Sequence, residues 1–413
     1  MATSNSHNFN VTAGDIITES LSLAGVYSPG ESLPASESAD ALRTLNMMLK
    51  AQQFRSGIWL NRELSLFLQK DTVKYALGPT GDHCSSSAVK TELAADAASA
   101  ATSITIDATT DFADTFDRDG IILSTTPSGA GAITLSGALV SSGIATLSGQ
   151  RKILIYSTGN DSIRTFAVVG QDAAGVAVTE TITGPNAGTV YSSSTYKTIT
   201  SITISGAGVG SIEVGQVGDP IGIELDSGSV QWTYIASALS TTLTLVTALT
   251  GAAATDNHVY SYTIKSPRPI ELIEARLHRS DDIETPLMLS GKHDYMLISN
   301  KTSEGPPNQL YYDKQLTNGY LYVWPEPDDV QDYLKFTARL PIQDLDSLTN
   351  DFEVGQEWYE PIAWNLAWRL VPKYGKPIDP AFKIVSEQMF EDALTSDSEN
   401  TSTFIRMGDR RHA

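Results

Sequence analysis

His83 and Cys84 stand side by side, a base next to a thiol, which are the residue types of a nucleophilic pair. Neighbours in sequence rarely aim at one another usefully, and the Ser-rich stretch that follows reads as a loop. The other histidines, His7, His258, His278, His293 and His412, are scattered, with no HExxH spacing. The single cysteine has no CxxC partner, so neither a metal site nor an internal disulfide is expected. Asp281-Asp282 and Asp328-Asp329 could be imagined as catalytic carboxylates. Glycosidase chemistry needs two acids held apart across a cleft, and adjacent acids in polar segments are more often solvated turns. Gly206-Ala207-Gly208-Val209-Gly210 resembles a phosphate loop only superficially. It lies between strand-like runs and lacks a following Lys, so it reads as a β turn. No GxSxG or Walker-type motif occurs either. The expectation is no catalytic residue, no cofactor, no metal, and a protein that is not an enzyme.

Aromatic and basic anchors carry more information. Trp59, Trp324, Trp358, Trp364 and Trp368 suit a core or a subunit interface, where tryptophan is enriched. A carbohydrate or nucleotide platform would require them exposed. The C-terminal stretch is polar and then offers Phe404, Ile405, Arg406, Arg410 and Arg411. Two apolar anchors and three arginines on an acidic protein suit an arm that docks on another subunit. A frayed terminus is the alternative.

The elements that must position these residues come in three textures. The chain has 413 residues, a length that predicts two to four domains. It carries 28 basic against 48 acidic residues, a formal charge of −20. That balance argues against a nucleic-acid-binding groove, which needs cations to neutralise phosphate. It does not argue against DNA passing by, since an acidic wall repels phosphate. The polar N-terminus does not read as a secretory signal, and no apolar run approaches the ~20 residues of a membrane span. Asn10-Val11-Thr12 and Asn300-Lys301-Thr302 match the glycosylation sequon, with little weight in the absence of such a signal.

Thr12 as N-cap with Asp15 three residues on predicts a first helix ending at Gly25. A second helix is expected over about 36–55, with Leu42, Leu45 and Leu49 on one face. From about 93 to 262 the chain is rich in Ser, Thr, Gly, Ala and Val, with sparse charge. Short alternating runs such as Ile153–Tyr156, Thr165–Val169, Val178–Ile182 and Thr200–Ile204 predict antiparallel β modules. Charge and aromatics then return. Glu271–Leu277, Gly319–Trp324 and 332–340 read as strands, and 291–299 as a short helix. Helices close the chain: Tyr359, Ile362, Leu366 and Leu370 share a face, and Asp379-Pro380 starts the last one.

These textures predict an α+β multidomain protein. Its helical core would be made by the N- and C-terminal helices with a small β-sheet (10–90 and 264–395). A small β domain (91–123 and 218–263) would enclose an inserted β-sandwich, Ig-like unit (124–217). An extended arm (396–413) would follow.

Particular residues carry a family resemblance. They are the first helix ending in Leu23-Ala24-Gly25, Ala41–Lys50 with Gly57-Ile58-Trp59, then Arg268-Pro269, Ala275-Arg276, Pro286-Leu287 and Asp294-Tyr295. Asn300-Lys301 with Gly305-Pro306-Pro307, Tyr312-Asp313, Gly319–Pro325, and Trp358–Ala367 complete them. In this order, over roughly 10–80 and 265–395, the chain resembles the head-to-tail adaptors (tail accessory factors, head completion proteins) of short-tailed bacteriophages. Lys152–Asp161 with Arg164-Thr165-Phe166, Gly184–Thr189 and Lys197–Ile202 looks like an Ig-like module common in phage particle proteins, an insertion that the smallest adaptors lack. The resemblance implies a structural protein of the virion neck, assembled in the bacterial cytoplasm. It implies a homo-oligomeric, dodecameric ring under the portal protein that extends the DNA channel to the tail nozzle. Double-stranded DNA would pass its lumen without specific binding, and tail-fibre proteins could attach. Tail-fibre or host-adhesion proteins and cell-wall hydrolases are the alternative classes.

Overall fold

The computed structural model describes Ser6 and residues 8–28, 30–31, 33–53, 60–108, 112, 115–377 and 379–397. The chain is mainly β, with 39% strand against 19% helix. Among the described residues there are five sheets and five α-helices. The helices are α1 (Ala13–Leu23), α2 (Ala35–Gln52), α3 (Lys292–Leu297), α4 (Tyr359–Leu370) and α5 (Pro380–Ser396). This overturns the expected α+β architecture of a helical adaptor core carrying a small sheet and an inserted Ig-like domain. The physical reason lies in the period-2 runs outside the low-charge stretch. Glu271–His278, Gly319–Trp324 and Tyr333–Arg339 are not an accessory to helices. Glu271–His278 pairs with Tyr333–Arg339, which pairs with Asn61–Phe67, and Gly319–Trp324 pairs with Lys74–Leu77, in two further sheets.

The chain divides into two compact units, 1–61 with 340–413, and 62–339. In the first, α1 opens with a reciprocal capping box. The Thr12 hydroxyl accepts from the Asp15 amide, and the Asp15 carboxylate accepts from the Thr12 amide at 2.9 Å. Gly25, at φ +63°, turns the chain after the helix. The apolar stripes then meet in one core. Ile16, Ile17 and Leu21 of α1, Leu45 and Met48 of α2, and Ile362 and Leu366 of α4 are almost fully buried there. Full burial of such a side chain contributes about 1.5–3 kcal/mol. Polar ties fix the register. The Ser20 hydroxyl sits 3.0 Å from the Ala363 carbonyl, and Asn46 exchanges two hydrogen bonds with the Leu345 backbone. The chain leaves this unit after Asn61 and returns at Leu340, whose amide donates to the Leu60 carbonyl at 3.0 Å.

The second unit holds most of the strands. Strands 117–125, 153–160, 186–191 and 212–216 form one sheet, and 140–141, 144–151, 165–171, 177–183 and 196–204 another, with 131–133 paired to the last. Their inner faces share a core that includes Ile122, Ile155, Phe166, Val168, Ile202 and Val214. A separate six-stranded sheet runs in the order 89–92, 258–261, 220–224, 230–239, 242–245, 103–105, over its own core of Ile104, Ile221, Ile223, Leu243 and Val259. Tyr260 of that sheet and Tyr262 just beyond it pack with Phe67, Trp232 and Tyr333 in a fourth cluster.

Candidate functional site

Three of the five anchor tryptophans lie in the described part of the helical unit. Trp358 precedes α4, is 2% exposed, and meets Phe390 of α5 edge-on at 5.3 Å. Trp364, partly buried, packs on Phe382 at 4.8 Å between centroids. Trp368, one turn further, lies within cation–π range of Arg369 (5.2 Å) and Lys383 (5.6 Å). Trp324 is apart from them in the β unit, its indole N–H donating to the Asn300 carbonyl at 2.8 Å. Trp59 and the arm residues Phe404, Ile405, Arg406, Arg410 and Arg411 lie outside the described residues.

Between α2, α4 and α5 a cleft of about 370 Å³ is lined by Gln52, Asn365, Trp368, Arg369, Glu387 and Phe390. Asn365 is held rigidly, since its amide donates to the Ser386 carbonyl at 2.9 Å and its oxygen accepts from Gln52 at 3.2 Å. Burial pulls the Arg369 pKa down. The Trp368 indole N–H and the Arg369 Nε–H are buried without an acceptor among the described residues. Both atoms are essentially inaccessible, so the missing acceptors are a cost to the helical unit itself.

The residues weighed for catalysis sit in structural settings. Burial pushes the Cys84 thiol up to about 12, the opposite of nucleophile activation. His83 stacks on Trp232 at 3.6 Å, and its Nδ1 lies 2.8 Å from the Tyr262 hydroxyl. Asp281 and Asp329 accept backbone amides two residues ahead, which is turn geometry. Among the described residues no group of three or more potential ligands could hold a metal ion.

The glycine-rich segment 206–210 is a turn with a specific anchor. Asp161, fully buried, accepts from the Ser157 hydroxyl (2.6 Å), the Val209 amide (2.7 Å) and the Gly210 amide (3.2 Å). Burial opposes ionisation of Asp161, but these three donors outweigh it and hold its carboxyl below the usual aspartate value. A lowered folded-state pKa stabilises above the unfolded value and is lost as pH falls through the aspartate range. Asp161→Asn therefore costs about 1–3 kcal/mol at pH 6. The gap to the unmodified protein closes below pH ~4. Urea midpoints at both pH values measure this, and an equal gap at pH 3 and pH 6 rules the assignment out.

Sequence reasoning missed the ties made by the few cations of the low-charge stretch, of which Arg151 joins one β module to the next. Between 93 and 262 the only basic residues are Arg118, Arg151, Lys152, Arg164 and Lys197. Their scarcity was the available signal. Arg151 forms a buried ion pair with Asp219 at 2.6 Å and donates to the Thr263 carbonyl at 2.6 Å. The Arg164 Nε donates to the Ala207 carbonyl and the Lys197 ammonium to the Leu147 carbonyl. Arg118 pairs with Glu213 at 2.6 Å beside a second cleft, of about 530 Å³. No protein-family model and no curated protein matches this sequence. Among the described residues no helix is long and apolar enough to cross a membrane.

Proposed function

We propose that this chain is a non-enzymatic structural protein of a bacteriophage virion, a head-to-tail adaptor that forms a ring beneath the portal and extends the DNA channel toward the tail nozzle. One observation supports this reading most. The two helical motifs of the resemblance, Ala41–Lys50 and Trp358–Ala367, are some 300 residues apart in sequence yet lie on α2 and α4 and fill the same core. Motifs that were independent accidents would have no reason to converge on one packed surface.

In this reading the subunits meet through a heterologous contact that closes into a ring. The partly buried Trp364 and Trp368, with the cleft beside them, are the residues for that contact or for the portal. The arm beyond Asp397 supplies a second attachment, with Phe404 and Ile405 as apolar anchors and Arg406, Arg410 and Arg411 meeting acid groups. At −20 per chain an assembled ring is strongly acidic, and acidic side chains along its lumen let DNA pass without retention. The neck of the virion is the site of action.

Mixing the purified protein with portal rings and imaging the product by electron microscopy tests the reading. A ring capping the tail-side end of the portal is expected, lost when residues 401–413 are removed. Absence of any complex at every ionic strength overturns the adaptor assignment. Complexes that survive the truncation remove the arm from it.

A further inference from the structure

The second cleft lies wholly within the β unit. Strands Ile153–Asn160 and Asn186–Tyr191 pair so that Leu154 opposes Tyr191 and Tyr156 opposes Thr189. Side chains alternate along a strand. Ile153 and Ile155 therefore enter the sandwich core, while Leu154, Tyr156, Thr189 and Tyr191 project from the other face. Phe116, Arg118 and Asp119 form a second wall, and Ala236, Ser237 and Thr244 of the six-stranded sheet form the third. The volume of this open groove, about 530 Å³, falls within the roughly 300–1,000 Å³ of small-molecule sites.

Its chemistry is specific. Two tyrosines and a phenylalanine give apolar faces, and Leu154, 1% exposed, lies beneath them. Burial raises the Tyr191 pKa, so its phenol stays a neutral donor. Among the described residues the hydroxyls of Tyr156, Tyr191, Ser237 and Thr244 have no protein hydrogen-bond partner. The one cation, Arg118, is committed twice. Its guanidinium lies 4.6 Å from the Tyr156 ring centre, and its Nε is paired with Glu213. Asp119 is exposed at the rim. No uncompensated positive charge is left for an anion, on a protein already at −20.

We propose that this cleft binds a neutral saccharide. The electron-rich tyrosine faces attract the polarised C–H faces of a pyranose. The unpartnered hydroxyls bond its ring hydroxyls, and the absence of free cationic charge selects against sialylated or phosphorylated sugars. This is a binding activity separate from ring assembly, and it stands or falls independently of the adaptor reading.

Saturation-transfer NMR on the full chain tests it. The probes are oligosaccharides of glucose, mannose and N-acetylglucosamine, alongside sialyllactose and mannose 6-phosphate. At least one neutral sugar is expected to receive saturation, with its affinity reduced 10-fold or more by Tyr156→Ala and by Tyr191→Ala. Ser237→Trp, which fills the cleft from an exposed position, gives the same loss without touching the aromatic wall. No transfer to any neutral sugar at millimolar concentration overturns the proposal. Binding unchanged in all three variants, or a preference for the anionic sugars, overturns it equally.

Discussion

Arg151→Met lowers the stability of the β unit by about 3–5 kcal/mol, because it strands a buried carboxylate. Arg151 and Asp219 are each 1% exposed, and the Asp219 side chain also accepts from the hydroxyls of Thr115 (2.6 Å) and Thr263 (3.0 Å). Burial pulls the Arg151 pKa down, and Asp219 opposes that shift. The pair was costly to desolvate, so its removal as a pair is far milder than removal of one member. The double variant Arg151→Met/Asp219→Leu should regain most of the lost stability. Urea unfolding followed by far-UV circular dichroism reads both. A double variant no more stable than Arg151→Met contradicts the ion-pair account and leaves packing of the arginine stem as the cause.

Trp358→Ala is the second large effect, about 3–5 kcal/mol. The side chain is nearly inaccessible, and its loss opens a cavity where the start of α4 meets Phe390 of α5. The damage is local to the helical unit. Hydrogen exchange should accelerate in the amides of α1, α4 and α5 and stay unchanged in strands 153–160 and 196–204. If the adaptor reading holds, the variant also loses portal capture. Unaltered exchange in the helices shows that the cavity collapses without consequence and that Trp358 is not an anchor.

Local patterns were legible. Thr12 and Asp15 announced their capping box, Asp379-Pro380 their N-cap, and the alternating runs their strands: 165–169 was expected and 165–171 is formed. The overall architecture was misjudged because alternation says that a strand exists but not which sheet receives it. Glu271–Leu277 reads identically whether it decorates helices or joins Tyr333–Arg339 in a β unit. The tryptophans of 358–368 were found from residue type alone. The Arg151–Asp219 pair and the walls of the 530 Å³ cleft were not, because the first joins residues 68 positions apart, and only the register of 153–160 against 186–191 puts Tyr156 and Tyr191 on one face.

The hydrogen bond between Leu340 and Leu60 has a consequence for synthesis on the ribosome. α1 and α2 emerge first, yet α4, which completes their core, begins only at Tyr359. At about 5–20 residues per second, some 300 residues of delay leave their apolar stripes uncovered for roughly 15–60 s. During that interval Ile16, Ile17, Leu45 and Met48 have no native partner from the C-terminal helices. Nascent chains stalled before residue 359 should therefore recruit holdase chaperones to residues 13–52, and chains extended past 396 should release them.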